Sequence, residues 1–185
     1  MTMRPGLIVV DDFLTDPFQA RATALSMKFQ ESASYKGHRS TECGARTSEI
    51  HEKLCSLLRS EVRYSGSSFM YHWSPAGTPE VYHSDGVLGG WGGVLYLKPD
   101  APLESGTSLF RHKASGAMAG DPARFSTQPA PFRYLDPTEY VETDFTGNVF
   151  NRLVLFPADR LHSMRRPFGH SAETARLTQL FFLCP

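Results

Sequence analysis

His83 and Asp85 stand two residues apart in the stretch Tyr82-His83-Ser84-Asp85-Gly86. In extended backbone, side chains two apart leave the same face, so an imidazole nitrogen and a carboxylate oxygen can reach one point in space. Such a pair ligates metals. A third donor stands far downstream: His162, in Leu155-Phe156-Pro157-Ala158-Asp159-Arg160-Leu161-His162, follows an apolar run with strand character. Two imidazoles and one carboxylate on one side of an ion suit ferrous iron and leave coordination positions open for substrates.

Positioning these donors requires strands, and the second half of the chain supplies them. Residues 68–73 alternate, with Phe69, Tyr71 and Trp73 on one side and Met70 and His72 on the other. Pro75-Ala76-Gly77-Thr78-Pro79 turns the chain into an expected His83/Asp85 strand. The cluster Gly89-Gly90-Trp91-Gly92-Gly93 permits bulges or close backbone approach before a strand at 94–97. Further strands are expected at 106–111, 149–156 and 175–183. Between them, residues 114–143 read as a long loop with a short helix near 137–140, in the manner of a lid.

The first half reads differently. Residues 7–10 form a short β-rich run, and Thr15-Asp16-Pro17 is a helix start: a capping side chain, then proline where its missing N–H costs nothing. Phe18, Ala22, Leu25 and Phe29 follow at helical spacing as an expected apolar stripe. Residues 30–46 are polar and rich in Ser and Gly, so a surface loop is expected. A second helix starts near Thr47 or Ser48, burying Ile50, Leu54, Leu57, Leu58 and Val62. Helices followed by many short strands predict a mainly β fold with flanking helices: a sandwich or a double-sheet jelly roll.

Size and charge narrow the partners. At 185 residues the chain reads as a single domain, the helices at about 15–62 packed on a β core at about 64–184. Nineteen basic residues balance nineteen acidic ones, so no global field favours nucleic acid or an anionic membrane. Three cysteines without CxxC spacing argue against a disulfide scaffold and give no zinc cluster. With neither a signal-peptide pattern nor an apolar run of membrane-spanning length, cytoplasmic residence is expected.

In order, His83-Ser84-Asp85, His162 and Arg176 resemble the His-x-Asp…His…Arg signature of the Fe(II)/2-oxoglutarate-dependent dioxygenases. Three further stretches resemble the prolyl-hydroxylase-like branch: Asp11-Asp12-Phe13-Leu14, Ser105-Gly106-Thr107-Ser108-Leu109-Phe110 and Asn151-Arg152-Leu153-Val154-Leu155-Phe156-Pro157. The resemblance implies a double-stranded β-helix (jelly roll, cupin-like) core with His83, Asp85 and His162 as catalytic ligands of Fe(II). It implies 2-oxoglutarate as co-substrate beside O2. Arg176, fourteen residues after His162 on an alternating strand, would grip the far carboxylate, a task suited to the guanidinium fork. Thr178 shares its face and is the expected hydroxyl donor. Tyr71, twelve residues before His83, stands close to the place of that branch's tyrosine, with Tyr82 as the fallback. The implied reaction couples decarboxylation of 2-oxoglutarate to succinate with C–H oxidation. Hydroxylation comes first among outcomes because Asp85 occupies the position that related halogenases give to a small residue. The expected substrate is an amino acid, a small metabolite or a peptidyl side chain.

Each residue also has a plainer reading. His83 alone could be a satisfied interior histidine, and Asp85 a turn cap before Gly86. His72 reads as packing or surface. His38, His51, His112 and His170 have no partner at ligand spacing and read as solvated. Trp73 and Trp91 read as core. Arg111, Arg124, Arg133, Arg165 and Arg166 read as surface charge. For the chain as a whole, the alternative is a non-catalytic cupin-like protein that binds a metal or small ligand, in which Arg176 has no assigned task.

Overall fold

Capping side chains set where the helices begin. Asp16 accepts a hydrogen bond from the Gln19 N–H (2.9 Å) and Pro17 takes the first turn, giving α1 over Pro17–Ser26. Thr47 caps α2 (Ser48–Leu58) in the same way, accepting from the Ile50 N–H, and Ile50 and Leu54 form its buried face. The computed structural model describes residues 6–32, 35–44, 47–64, 69–85, 90–119 and 137–184.

The expected stripe on α1 is buried only in part: Leu25 packs against the core and Ala22 is exposed. Phe18 is exposed and rests on Phe150, while Ala24 is the buried helix residue. Arg21 sets the rotation, its guanidinium donating to the backbone carbonyls of Leu97 and Glu173. The helix also stops at Ser26, so Phe29 opens a strand instead of closing the stripe.

Eleven strands among the described residues form two antiparallel sheets. The larger joins β1 (Ile8–Val10), β9 (Leu153–Pro157), β6 (Trp91–Tyr96), β11 (Arg176–Cys184), β5 (Met70–Ser74), β3 (Tyr35–Cys43) and β2 (Phe29–Ser32) in that order, with β4 (Arg63–Tyr64) paired to β11. The smaller joins β10 (His162–Met164), β7 (Thr107–His112) and β8 (Tyr140–Thr146). Residues 30–46, expected as a loop, are mostly the hairpin β2–β3. Their polar residues hide a strand pattern because the hairpin is the edge of the sheet, where burial does not enforce alternation. The expected lid at 114–143 likewise runs into β8, after a single 3-10 turn at Pro137–Glu139. Residues 120–136 of that lid, with Arg124 and Arg133, lie outside the described residues, as do residues 86–88 and Gly89 of the glycine cluster.

The period-two pattern of the large sheet divides the core. Leu95 of β6, Leu153 and Leu155 of β9, and Leu177 and Phe181 of β11 face the helices and pack with Ala24, Ile50 and Leu54. Their neighbours Val94, Tyr96, Val154 and Phe156 face the small sheet and pack with Leu109. Two stretches singled out in the sequence are stitched together at one end. Asn151, held in the left-handed region (φ 64), accepts from the Leu14 N–H at 2.8 Å and donates to the Leu14 carbonyl at 2.9 Å. Beside it, the Arg152 fork meets Asp11 at 2.6 and 2.9 Å. That tie delays β9 to Leu153, four residues after the expected start at Val149.

Candidate metal centre and anion pocket

His83 and Asp85 do not sit in a full strand. The segment is extended but bonds to its neighbours only at intervals: the His83 and His162 N–H groups each donate to the other's carbonyl (3.0 and 2.8 Å), and the Asp85 N–H donates to Ala158 (2.8 Å). Those bonds dock the segment against β10 and the turn before it. Two histidines far apart in sequence thereby lie ring against ring, centroids 4.2 Å apart. Asp85 Oδ1 lies 3.8 Å from each Nε2, and one donor atom from each residue falls within 4.8 Å of the others.

The tautomers are set for ligation. Nδ1 of His83 faces the Val81 carbonyl and Nδ1 of His162 faces the Arg160 carbonyl, both at 2.9 Å. Each carbonyl accepts the Nδ1 proton, so each Nε2 keeps a lone pair aimed at the shared point. Burial pushes the His162 imidazole down to about 4, with His83 acting in the same direction and Asp85 opposing it, so this ring is neutral at pH 7. Space for the carboxylate comes from Gly92 on β6, where a Cβ would stand 2.7 Å from Asp85 Oδ2 and from the Phe156 ring. Close approach is what the glycine cluster allowed, although Gly92 and Gly93 lie within β6 instead of preceding it.

The same three residues line a cavity of about 330 Å³ together with Val94, Thr107, Phe156, Met164, Arg176 and Leu180. Arg176 is 3% exposed and has no carboxylate partner among the described residues. Its Nε donates to the Ser105 carbonyl (2.8 Å), and its Nη2 lies 3.3 Å from the Gly106 carbonyl and from Thr107 Oγ1. The guanidinium rests 5.4 Å over the Tyr96 ring, whose hydroxyl meets Thr107 at 2.7 Å. Burial lowers its pKa, but a guanidinium stays charged in proteins. A buried cation held by neutral groups is costly unless an anion joins it. Lys36 and Arg39, from the hairpin β2–β3, add positive charge to the same lining.

Solved structures share this arrangement of sheets. The chain is similar to HygX from Streptomyces hygroscopicus, crystallised with nickel, 2-oxoglutarate and hygromycin B, at 12% identity over 97% of this chain and 83% of that one, with a TM-score of 0.61. It is similar to SnoN, a non-haem α-ketoglutarate-dependent epimerase from nogalamycin biosynthesis, at 11% identity over 97% and 78% of the two chains (TM-score 0.60). A Trichoplax adhaerens prolyl hydroxylase, in complex with a hypoxia inducible factor peptide, matches at 15% identity over 96% and 83% (TM-score 0.53). The fold is that of the 2-oxoglutarate-dependent oxygenases. No family model matches the sequence and neither does any curated protein, so the likeness is one of architecture.

Within this oxygenase fold, three of the expected contacts move. Tyr71 is 1% exposed in the apolar cluster beneath the helices; its neighbour His72 is the β5 residue that lines the cavity. One step along a strand reverses the face. Tyr82 packs on Phe110 and Tyr140 of the small sheet, away from the cavity. Thr178 does share the face of Arg176, but its hydroxyl donates to the His72 carbonyl (3.1 Å), and Thr107 is the hydroxyl beside the guanidinium. Tyr96 and Thr107 were legible only as strand residues. What could have found them is the alternation of β6, which puts Tyr96 on the face opposite Leu95, and the start of β7 directly after Gly106. Trp91 joins the helix-side core, and Trp73 is half-buried with His38 stacked on it at 3.9 Å.

Proposed function

We propose that the chain is an Fe(II)/2-oxoglutarate-dependent oxygenase that hydroxylates a small molecule or a peptidyl side chain. One observation carries the reading: a two-imidazole, one-carboxylate cluster and a buried guanidinium, without a carboxylate partner among the described residues, line the same cavity. The donor chemistry fits Fe(II), and the orphaned cation fits the far carboxylate of the diacid. A non-catalytic metal-binding module would have no use for a buried Arg176.

In this reading His83 Nε2, His162 Nε2 and Asp85 hold iron on one side and leave the cavity side open. Iron, 2-oxoglutarate and O2 together supply an oxidant able to attack a C–H bond, with succinate and carbon dioxide as co-products. Arg176 orients the diacid through its carboxylate, with Tyr96 and Thr107 fixing the guanidinium. The Val81 and Arg160 carbonyls hold both rings in line, each facing an Nδ1. Val94, Phe156, Met164 and Leu180 keep the reacting end dry. HygX is crystallised with hygromycin B and the Trichoplax hydroxylase with a peptide, which supports a small-molecule or a peptidyl substrate.

The test is succinate formation from 2-oxoglutarate in air with Fe(II), run across amino acids, aminoglycosides and peptides with mass spectrometry for a gain of one oxygen atom. Iron-dependent succinate that disappears in His162→Ala supports the reading. No succinate with any of the panel, from folded protein that binds Fe(II), contradicts it.

A further inference from the structure

Two groups of three metal-binding donors occur among the described residues, and the second lies outside the cavity: His51, Cys55 and Glu61. His51 and Cys55 are four residues apart on α2, so they leave one side of the helix. The sequence reading that gave His51 no partner at ligand spacing is corrected here. Cys55 is that partner, at the four-residue spacing that puts two side chains on one side of a helix. Arg59 ends α2 in the left-handed region (φ 51), and the Arg59 and Ser60 N–H groups turn back to Ser56 (3.3 Å) and Cys55 (3.2 Å). That reversal brings Glu61 alongside the helix.

The resulting distances are 3.1 Å from His51 Nε2 to Glu61 Oε1, 3.6 Å from Cys55 Sγ to His51 Nε2, and 3.9 Å from Cys55 Sγ to Glu61 Oε2. A tetrahedral zinc ion, with a sulfur ligand at about 2.3 Å and nitrogen and oxygen ligands at about 2.0–2.1 Å, spaces its ligands about 3.3–3.6 Å apart. The His51–Cys55 edge matches that spacing, the Glu61 carboxylate reaches both partners through its two oxygens, and one donor atom of each residue lies within 4.8 Å of the others. His51 Nδ1 is engaged by the Tyr64 hydroxyl, and the Tyr64 ring packs edge-on against buried Phe69 at 4.7 Å. Nε2 is thereby turned toward the other two donors.

We propose that His51, Cys55 and Glu61 bind a zinc-like divalent cation, with water as the fourth ligand. Binding releases the Cys55 thiol proton to solvent and forms a metal–thiolate bond, with no change of oxidation state. The ion ties the end of α2 to the turn leading into β4. The two clusters also differ in kind. A thiolate favours zinc, whereas the cavity cluster offers only nitrogen and oxygen donors, the set that suits iron.

Cobalt(II) is the probe, added anaerobically to the full chain with its cysteines reduced. A thiolate-to-cobalt charge-transfer band in the near ultraviolet reports sulfur ligation, which the sulfur-free cavity cluster cannot give. The expected result is that band at one equivalent, kept in His162→Ala, Cys43→Ala and Cys184→Ala, lost in Cys55→Ala, and bleached by zinc. Glu61→Gln, a change at an exposed side chain, should weaken cobalt binding at least about 10-fold and serves if Cys55→Ala does not fold. No band in the parent protein, a band unchanged in Cys55→Ala, or cobalt affinity unchanged in Glu61→Gln would each overturn the proposal.

Discussion

The two faces of the large sheet are built from the same strands and carry opposite loads. On the helix side, Tyr71, Leu95, Leu155, Leu177 and Phe181 are buried among apolar neighbours. One residue away on each strand, the cavity side presents His72, Val94, Phe156, Arg176 and Leu180. The first face gains stability from burial. The second gives some back, because a buried guanidinium and an unprotonated imidazole are expensive to desolvate. A single step along β11, from Arg176 to Leu177, passes from one load to the other, so stability and chemistry should separate by sequence parity.

The sharpest separation is expected on the cavity side. Asp85→Ala or His162→Ala should lower iron-dependent turnover at least about 100-fold, since losing even a supporting contact of a metal ligand costs about 10–100-fold. Thermal melting of the iron-free protein should barely move. A large loss of melting temperature with turnover intact would reverse the assignment of that face. On the helix side, Phe181→Ala should cost about 3–5 kcal/mol in urea unfolding through the cavity it leaves, while the 2-oxoglutarate requirement of the surviving folded fraction stays at the parent value.

Smaller effects sharpen the picture. Arg176→Ala removes charge-assisted bonds of about 1.5–3 kcal/mol, so the 2-oxoglutarate concentration for half-maximal rate should rise about 10–100-fold; a titration curve that overlays the parent would move the anchor elsewhere. Gly92→Ala, with its Cβ 2.7 Å from Asp85 Oδ2, should weaken Fe(II) binding more than it lowers stability, as read by iron titration beside a melt.

His72 gives the pH dependence. Burial pushes its imidazole down to about 3, with the Lys36 carbonyl opposing, against an ordinary value near 6.5. The unfolded chain therefore binds a proton that the native state refuses. Stability is full above about pH 6.5 and falls as pH drops toward 3, by at most about 1.4 kcal/mol per pH unit from this group. In urea midpoints measured from pH 7 to pH 5, His72→Gln should flatten part of the slope; a parallel slope in the variant would remove His72 from the account.

Much of this was legible from residue types. The donor trio, the Arg176 strand, both helix starts and the mainly β character follow from spacing and capping. They are signals that depend on a few neighbouring residues or on a strict period. What failed depended on tertiary context. The hairpin of edge strand β2 and its neighbour β3 lacks an enforced apolar face, so residues 30–46 looked like a loop. Tyr71 was assigned by distance from His83 along the chain, whereas its side is fixed by which face of β5 the helices cover. The turn of α1 about its axis is set by Arg21 reaching Leu97 and Glu173, a contact across the molecule that helical periodicity does not contain.

The central claim is that His83, Asp85 and His162 hold one iron while Arg176 anchors 2-oxoglutarate beside it. Anaerobic addition of Fe(II) and 2-oxoglutarate tests both halves at once, because chelation of iron by the keto acid gives a weak visible charge-transfer band near ~500 nm. The account predicts that band in the parent protein, its absence in His162→Ala, and a higher 2-oxoglutarate concentration to reach it in Arg176→Ala. A band of undiminished intensity in His162→Ala, or none in folded, iron-loaded parent protein, would contradict it.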